Sequence, residues 1–565
     1  MTDLSYVSGA STQPLLGQTI GAAFDATCAA HPDVPALISR HQKIRWTYAQ
    51  MKARVDALAA GLLALGLEPG DRIGIWAPNC AEWALTQFAT AKAGLILVNI
   101  NPAYRLSEAE YALNKVGCKA LVTAIAHKSS EYLHMLRELA PELAAARPGD
   151  LHAQRLPALR LVITLGEVEH AGCLAFHQAC DAGTPADVTR VAEIGAALQF
   201  DDPINVQFTS GTTGFPKGAT LSHHNILNNG FFCGEAMAVT AGDRVCIPVP
   251  LYHCFGMVIG NLACVTHAAT MIYPSEGFDP VATLDAVEAE SCTVLYGVPT
   301  MFIAMLSCED FEHFDLSSLR TGMMAGSPCP TEVMRQVISK MHMPEVTIGY
   351  GMTETSPASF QTGADDTFDR RVATVGRIHP HVEVKIVDEA GRIVPRGATG
   401  ELCTRGYSVM LGYWDDPERT AEALDANGWM HTGDLATLDE AGYCNIVGRI
   451  KDMVIRGGEN VYPREIEEVL FKHPAIAAVQ VIGVPDARMG EELMAWVAVR
   501  EGMAVSEDEV RDFCRRQLAH FKVPRYVKLT DVFPLTVTGK VQKFRMREIS
   551  IAELGLDAAA AIRTA

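Results

Sequence analysis

Ten residues, 209–218, gather three glycines, four hydroxyls and one lysine: Thr209, Ser210, Gly211, Thr212, Thr213, Gly214, Phe215, Pro216, Lys217 and Gly218. Glycine lets backbone N–H groups come close to a ligand. The hydroxyls add donors, and Lys217 adds a fixed positive charge. Such a set describes a cradle for a polyphosphate. Its spacing is not that of a Walker loop, which needs Gly, four residues, then Gly-Lys-Ser/Thr. Five positions after Gly211 stands Pro216, and Gly218 follows Lys217.

Further along, Gly349 to Glu354 brings an aromatic face (Tyr350), a hydroxyl (Thr353) and a hard carboxylate (Glu354) to the end of a predicted strand. Magnesium bridged to phosphates takes one or two such carboxylates. Asp434 follows a Thr-Gly pair, where a carboxylate can accept both hydroxyls of a ribose, as in dinucleotide sites. Arg449 offers a planar donor fork, and Lys451 lies two residues on. Lys540 sits on a Thr-Gly turn near the end of the chain. A charged lysine there could stabilise charge building on a phosphate. Taken singly, Glu354, Asp434 and Lys540 also fit solvated turn residues. Their order along one chain carries the argument.

Phosphate loop, Tyr350-Gly-x-Thr-Glu354, Thr432-Gly-Asp434, Gly448-Arg-x-Lys-Asp452 and Thr538-Gly-Lys540 resemble, in that order and over nearly the whole chain, the adenylate-forming superfamily. That superfamily includes acyl-CoA synthetases, luciferases and peptide-synthetase adenylation domains. The resemblance implies ATP binding by residues 209–217, Tyr350, Thr353, Asp434, Arg449 and Lys540, with Tyr350 on adenine and Asp434 and Arg449 on ribose. It implies Mg²⁺ at Glu354 and Thr212, a hinge at Lys451, and catalytic roles for Lys540, Glu354, Lys217 and His253. Many relatives have Asp at the hinge and Ser before the final Gly-Lys, where this chain has Lys451 and Thr538. Both changes keep polarity and size.

The acid pocket is expected to begin at Tyr252–Gly256, with His253 as a gate and Phe255, Val298 and Gly326 as walls. Amino-acid-activating relatives place an Asp near His253. None stands here, so a substrate without an α-amine is expected. By resemblance the chain is similar to fatty-acyl-CoA synthetases of the medium-chain type, with CoA as co-substrate reaching the site past Gly457 and Gly458. An aryl or hydroxycinnamoyl ligase shares every motif, and pocket shape alone separates the two. A non-catalytic AMP- or acyl-sensing protein would be expected to lack Lys540 or Glu354, and both are present. A peptide-synthetase module would need a carrier domain, and 25 residues follow Lys540.

The elements that must position these groups follow from pattern. Apolar residues alternate at Ile204, Val206 and Phe208, as in a strand leading into the phosphate loop. Helical spacing dominates from Ile20 to about Leu65, and strand–helix alternation after it implies layered α/β structure. Residues 147–158 and 181–190 read as loops. Short strands with turns from His381 imply a β-rich subdomain, and a small α+β unit closes the chain. The expected fold is α/β: a large N-terminal domain (1–450) of layered mixed α/β subdomains plus a β-rich subdomain, and a small mobile α+β C-terminal domain (451–565).

Length alone calls for more than one core in 565 residues. A net charge of −19 argues against nucleic acid, but not against a nucleotide held by local lysines. Fifteen scattered cysteines without a CxxC pair fit a reducing compartment. The first basic residue is Arg40, so neither a signal nor a transit peptide is expected. The apolar stretch Val245–Tyr273 is broken by Pro248, Pro250, His253, Asn261 and His267, which reads as core and not as a membrane span. A cytoplasmic enzyme acting on small molecules is expected, and a homo-oligomer is compatible with the sequence.

Overall fold

The computed structural model describes residues 4–209, 216–457, 459–536 and 539–560. Two large sheets hold most of the chain. In the first, Leu161–Thr164, Ala120–Thr123, Arg72–Trp76, Ile96–Asn99 and Pro203–Thr209 lie side by side and parallel. The second has a parallel centre of Arg244–Cys246, Thr270–Tyr273, Val294–Gly297, Thr321–Ala325 and Glu345–Gly351. Parallel strands covered on both faces read as unbroken apolar runs. Ile96–Asn99 and Ala120–Thr123 are buried along their whole length.

Helices pack around and between these sheets. Ala81–Ala93 is buried on nearly every side, and its many Ala and Thr residues allow that close fit. Its one buried cation, Lys92, lies 2.6 Å from Asp25 and 2.5 Å from Asp56. A buried charge stays tolerable when paired in this way.

Two expectations need correction. The stretch from Ile20 to Leu65 is not continuously helical: strands Pro35–Ser39 and Ile44–Thr47 separate the helices Ile20–Ala30 and Tyr48–Ala64. They pair with each other, and Pro35–Ser39 pairs with Thr270–Tyr273, at the edge of the second sheet. Residues 181–190 are not a loop, because a helix begins at Pro185 and runs to Ala197. Thr184 caps it and exchanges hydrogen bonds with Asp187, a capping box with Pro at the first helical position.

The β-rich part is a five-stranded antiparallel sheet, in the order Tyr6–Ser8, Val382–Val387, Gly400–Gly406, Met430–Leu438 and Cys444–Arg449. From Val454 onward the chain forms a sheet of its own, flanked by helices Pro463–Leu470, Glu507–Arg515 and Lys543–Leu554. Val454, Ile466, Leu470, Val479, Leu493 and Val510 fill a core there that is separate from the rest. All fifteen cysteines are free. Among the described residues no helix is long and apolar enough to cross a membrane.

Candidate active site

Strand ends bring the distant motifs together. Pro203–Thr209 and Lys217–Ser222 form an antiparallel pair with Thr209 opposite Lys217, so the two ends of the phosphate-loop motif stand side by side. Ser210, Gly211, Thr212, Thr213, Gly214 and Phe215 lie outside the described residues. At the end of the first of these strands, Thr209 Oγ1 donates to Glu354 Oε1 (3.2 Å). Tyr413 donates to the same oxygen from the other side (2.9 Å), and Lys217 Nζ lies 4.3 Å from the centre of the Tyr413 ring. Glu354 occupies the short turn Thr353–Thr355, directly after the strand that carries Tyr350. Both of these hydrogen bonds end on Oε1, so they leave the second carboxylate oxygen to other partners.

Tyr350 donates through its hydroxyl to Asp434 Oδ2 (2.5 Å), and Arg449 Nε lies 3.4 Å from Asp434 Oδ1. Asp434 and Arg449 face each other across neighbouring strands. Burial raises the Asp434 carboxyl above its usual range, opposed by the Arg449 guanidinium and the Tyr350 hydroxyl. An aromatic ring, a half-buried carboxylate and a guanidinium thus converge from two sheets, one strand end from Glu354.

Lys540 arrives from the last part of the chain. Leu535 and Val541 bridge a tight hairpin. Within it Thr536 N–H donates to the Lys540 carbonyl (2.7 Å), Gly539 N–H to the Thr536 carbonyl (2.9 Å), and Lys540 N–H to Thr536 Oγ1 (3.0 Å). Gly539 takes φ +77°, a left-handed conformation suited to glycine. This hairpin is seated against Val298, Thr300 and Gly326: Thr300 Oγ1 donates to the Gly539 carbonyl (3.4 Å). A methyl placed on Gly326 would stand 3.2 Å from both Lys540 Cε and Val298 Cγ1. Burial, then the nearby Arg449 cation, lowers the Lys540 pKa, and the Glu354 carboxylate opposes them.

His253 is held in the same neighbourhood. Its Nδ1 accepts from the Phe255 N–H (3.2 Å). Burial, with Lys540 nearby, pushes its pKa down to about 3, so the ring is neutral. The Phe255 ring packs 5.8 Å from that of Tyr296. Three buried amides, none singled out from the sequence, fix this turn. Asn79 bonds Val249 and Leu251 (3.0 and 2.8 Å), Asn99 donates to the Tyr252 carbonyl (2.9 Å), and Gln207 accepts from the Cys254 thiol (3.2 Å). Asn99 and Gln207 sit in strands at polar positions within apolar runs, which was the available signal. Tyr413, the second donor to Glu354, had no signal in its neighbours.

Gly457 is placed elsewhere. It tops the hairpin Val454–Val461, and its N–H donates to the Met489 carbonyl (2.8 Å), inside the C-terminal sheet. Gly458 lies outside the described residues. Beside the lysine hairpin opens a cavity of about 360 Å³, lined by Tyr252, Thr300 and Gly539 on one side and by His127, Lys128 and Glu276 on another. His127 and Glu276 are in contact with each other on its wall (3.0 Å).

Known proteins match this arrangement. The family model for the AMP-binding enzyme matches residues 24–414, and that for the AMP-binding enzyme C-terminal domain matches residues 465–540. The medium-chain acyl-CoA ligase ACSF2, mitochondrial, of Danio rerio is 49% identical over 98% of this chain and 91% of its own length. The putative acyl-CoA synthetase YngI of Bacillus subtilis is 49% identical over 96% of this chain and 99% of its own. Among solved structures, ATP-bound MatB from Rhodopseudomonas palustris superposes with a TM-score of 0.80 at 30% identity, covering 94% of this chain and 99% of that one. The anthranilate CoA ligase AuaEII, in complex with anthranoyl-AMP, gives 0.84 at 25% identity, covering 98% and 100%. The chain belongs to the AMP-binding enzyme family, in the branch that holds these acyl-CoA ligases.

Proposed function

We propose that this chain is an AMP-forming acid–thiol ligase that converts a medium-chain fatty acid to its CoA thioester. One observation carries the reading: Lys540, from the C-terminal part, is seated on Val298 and Gly326 within reach of the charges of Arg449, Asp434 and Glu354. A carboxylate lying between His253 and Lys540 would attack the α-phosphorus of ATP. The new acyl–phosphate bond forms as pyrophosphate leaves, and Lys540 stabilises the charge that builds there. The thiol sulfur then attacks the acyl carbon, AMP leaves, and the thiol proton passes to solvent. Splitting the condensation in this way turns one hard step into two easier ones.

Asp434 and Arg449 would hold the ribose, Tyr350 would offer its ring to adenine, and Lys217 with the rest of the 209–217 motif would hold the outer phosphates. Glu354 is buried at 5% exposure and its Oε1 is already engaged, which suits a carboxylate that lends its other oxygen to Mg²⁺. Magnesium, when bound, would neutralise phosphate charge. Thr212 would be a second ligand. The neutral His253 would gate the acid pocket, with Phe255, Val298 and Gly326 as its walls.

The 360 Å³ cavity reaches the reaction centre at Gly539 and Tyr252 and carries Lys128 on its wall. Its other walls include Phe278, Met301, Ala304 and Leu535, a mixed lining that would admit either an alkyl chain or a slender acceptor arm such as that of CoA. Delivery of Gly457 and Gly458 to this channel would require the part from 451 onward to turn about Lys451, which divides the chain into a 1–450 and a 451–565 domain. The free cysteines favour a reducing compartment such as the cytoplasm.

An aryl-CoA ligase is the second reading, motivated by the likeness to AuaEII. ATP–pyrophosphate exchange across straight-chain, branched and aryl acids, followed by thioester formation with CoA, tests both. Highest kcat/KM with straight-chain acids of intermediate length is expected. Preference for aryl acids would overturn the alkyl assignment, and failure of every acid would overturn the reaction class.

A further inference from the structure

Asp434 owes its position to an irregularity in the β-rich sheet. Between Gly400–Gly406 and Met430–Leu438, Glu401 is opposite Leu435 but Cys403 is opposite His431. A two-residue step on one strand therefore faces a four-residue step on the other, and Thr432, Gly433 and Asp434 bulge out of the ladder. Such bulges re-aim a side chain and remove its backbone partners. Here the opened gap is filled by one side chain. Glu401 Oε1 accepts the Gly433 N–H (3.1 Å), and Oε2 accepts from His431 Nδ1 (2.8 Å). Thr432 completes the clamp: its hydroxyl donates to the Leu402 carbonyl (2.7 Å) and accepts the Asp434 N–H (3.1 Å). On its far side the bulge remains paired, Asp434 to Arg449.

We propose that Glu401 is a positioning residue for the nucleotide: its carboxylate replaces the missing strand partner of the Thr432–Asp434 bulge and so holds Asp434 toward the ribose. The inference rests on the ligase reading of the site. Backbone N–H groups in a buried ladder need acceptors, and a charged acceptor makes a stronger bond than a carbonyl. One carboxylate bound to Gly433 and to His431 two residues before it restrains a glycine that would otherwise add freedom next to the site. Glu401, Cys403 and His431 also bring three ligand types within 4.8 Å of one another. One feature argues against a metal there: the Lys385 cation lies opposite Cys403 in the ladder, close enough to act on it.

The test uses the full chain, with Glu401→Ala and Glu401→Gln made in the wild type and in an Asp434→Ala background. KM for ATP, KM for the acid and kcat are measured in the thioester-forming reaction. Glu401→Ala should raise KM for ATP at least tenfold while KM for the acid stays within twofold. Glu401→Gln should recover part of the loss, because its amide oxygen still accepts from Gly433. In the Asp434→Ala background, Glu401→Ala should change KM for ATP less than twofold. An unchanged ATP KM in folded Glu401→Ala would overturn the proposal, as would an undiminished effect without Asp434. One equivalent of zinc in the purified wild type, absent from Glu401→Ala, would overturn it in favour of a metal site. Failure of the wild type to bind ATP would instead refute the ligase reading itself.

Discussion

The two ends of the site are built by different means. At the nucleotide end, Tyr350, Asp434, Arg449 and Glu354 stand on strands or directly after one, and side-chain hydrogen bonds from a second element fix Asp434 and Glu354. At the lysine end, Lys540 stands on a hairpin held, among the described residues, by its own backbone turn and by a 3.4 Å bond from Thr300, close beside Gly326, where an added methyl would stand 3.2 Å from Lys540 Cε. The first arrangement is preorganised and costly to disturb. The second, among the described residues, is joined to the rest by fewer such side-chain bonds, which suits a group that is withdrawn between steps. A two-step reaction on one bond asks for that division: the nucleotide must stay while the group beside the carbonyl is exchanged.

The contrast can be broken from either end. Lys540→Ala should cause the largest loss, lowering acid-dependent ATP–pyrophosphate exchange by about 10²–10³-fold, the range for removing one charge-stabilising donor. Its transfer of acyl groups from preformed adenylate to CoA should be largely spared. Equal loss in both half-reactions would make Lys540 a structural residue. Asp434→Ala should weaken ATP by roughly 1.5–3 kcal/mol, the worth of hydrogen bonds to a charged group, without changing acid affinity, as read by calorimetry.

A pH profile sharpens the comparison. Lys540 acts while protonated, and burial with Arg449 nearby lowers its pKa. Adenylation should therefore decline as pH rises through that lowered value, at a pH where an ordinary lysine is still charged. Below it the charge is retained and the rate should be flat on this account. The residual activity of Lys540→Arg should lack that alkaline decline, because guanidinium stays protonated. The smallest effect belongs to Tyr413→Phe. It removes one of the two donors to Glu354 Oε1 and should cost about 0.5–1.5 kcal/mol in ATP-dependent turnover, with acid KM unchanged.

How much of this was legible in the sequence differed between the same two ends. Tyr350, Glu354, Asp434, Arg449 and Lys540 stand out because each sits in a short glycine-punctuated motif, and glycine marks places where backbone must turn or approach a ligand. The residues that support them stand in regular strands, where nothing local distinguishes a polar residue that faces solvent from one that faces the site. Glu401 is of that kind, and register alone reveals it; Asn99 and Gln207 are marked only as polar interruptions of apolar runs. The strands Pro35–Ser39 and Ile44–Thr47 were hidden for a related reason. Short strands at a sheet edge carry too few residues to break the helical period on either side. The helix from Pro185 was announced by Thr184, Pro185 and Asp187, a signal that was present and passed over.

The central claim is that two distant parts of the chain close on one acyl adenylate. A crystal structure with a non-hydrolysable medium-chain acyl-adenylate analogue tests it most directly. The account predicts ribose hydroxyls on Asp434, the alkyl chain beginning between His253 and Gly326, and Lys540 Nζ within hydrogen-bond distance of the group that replaces the acyl phosphate. An analogue bound with its ribose away from Asp434, or with Lys540 on a different face of the molecule, would contradict it.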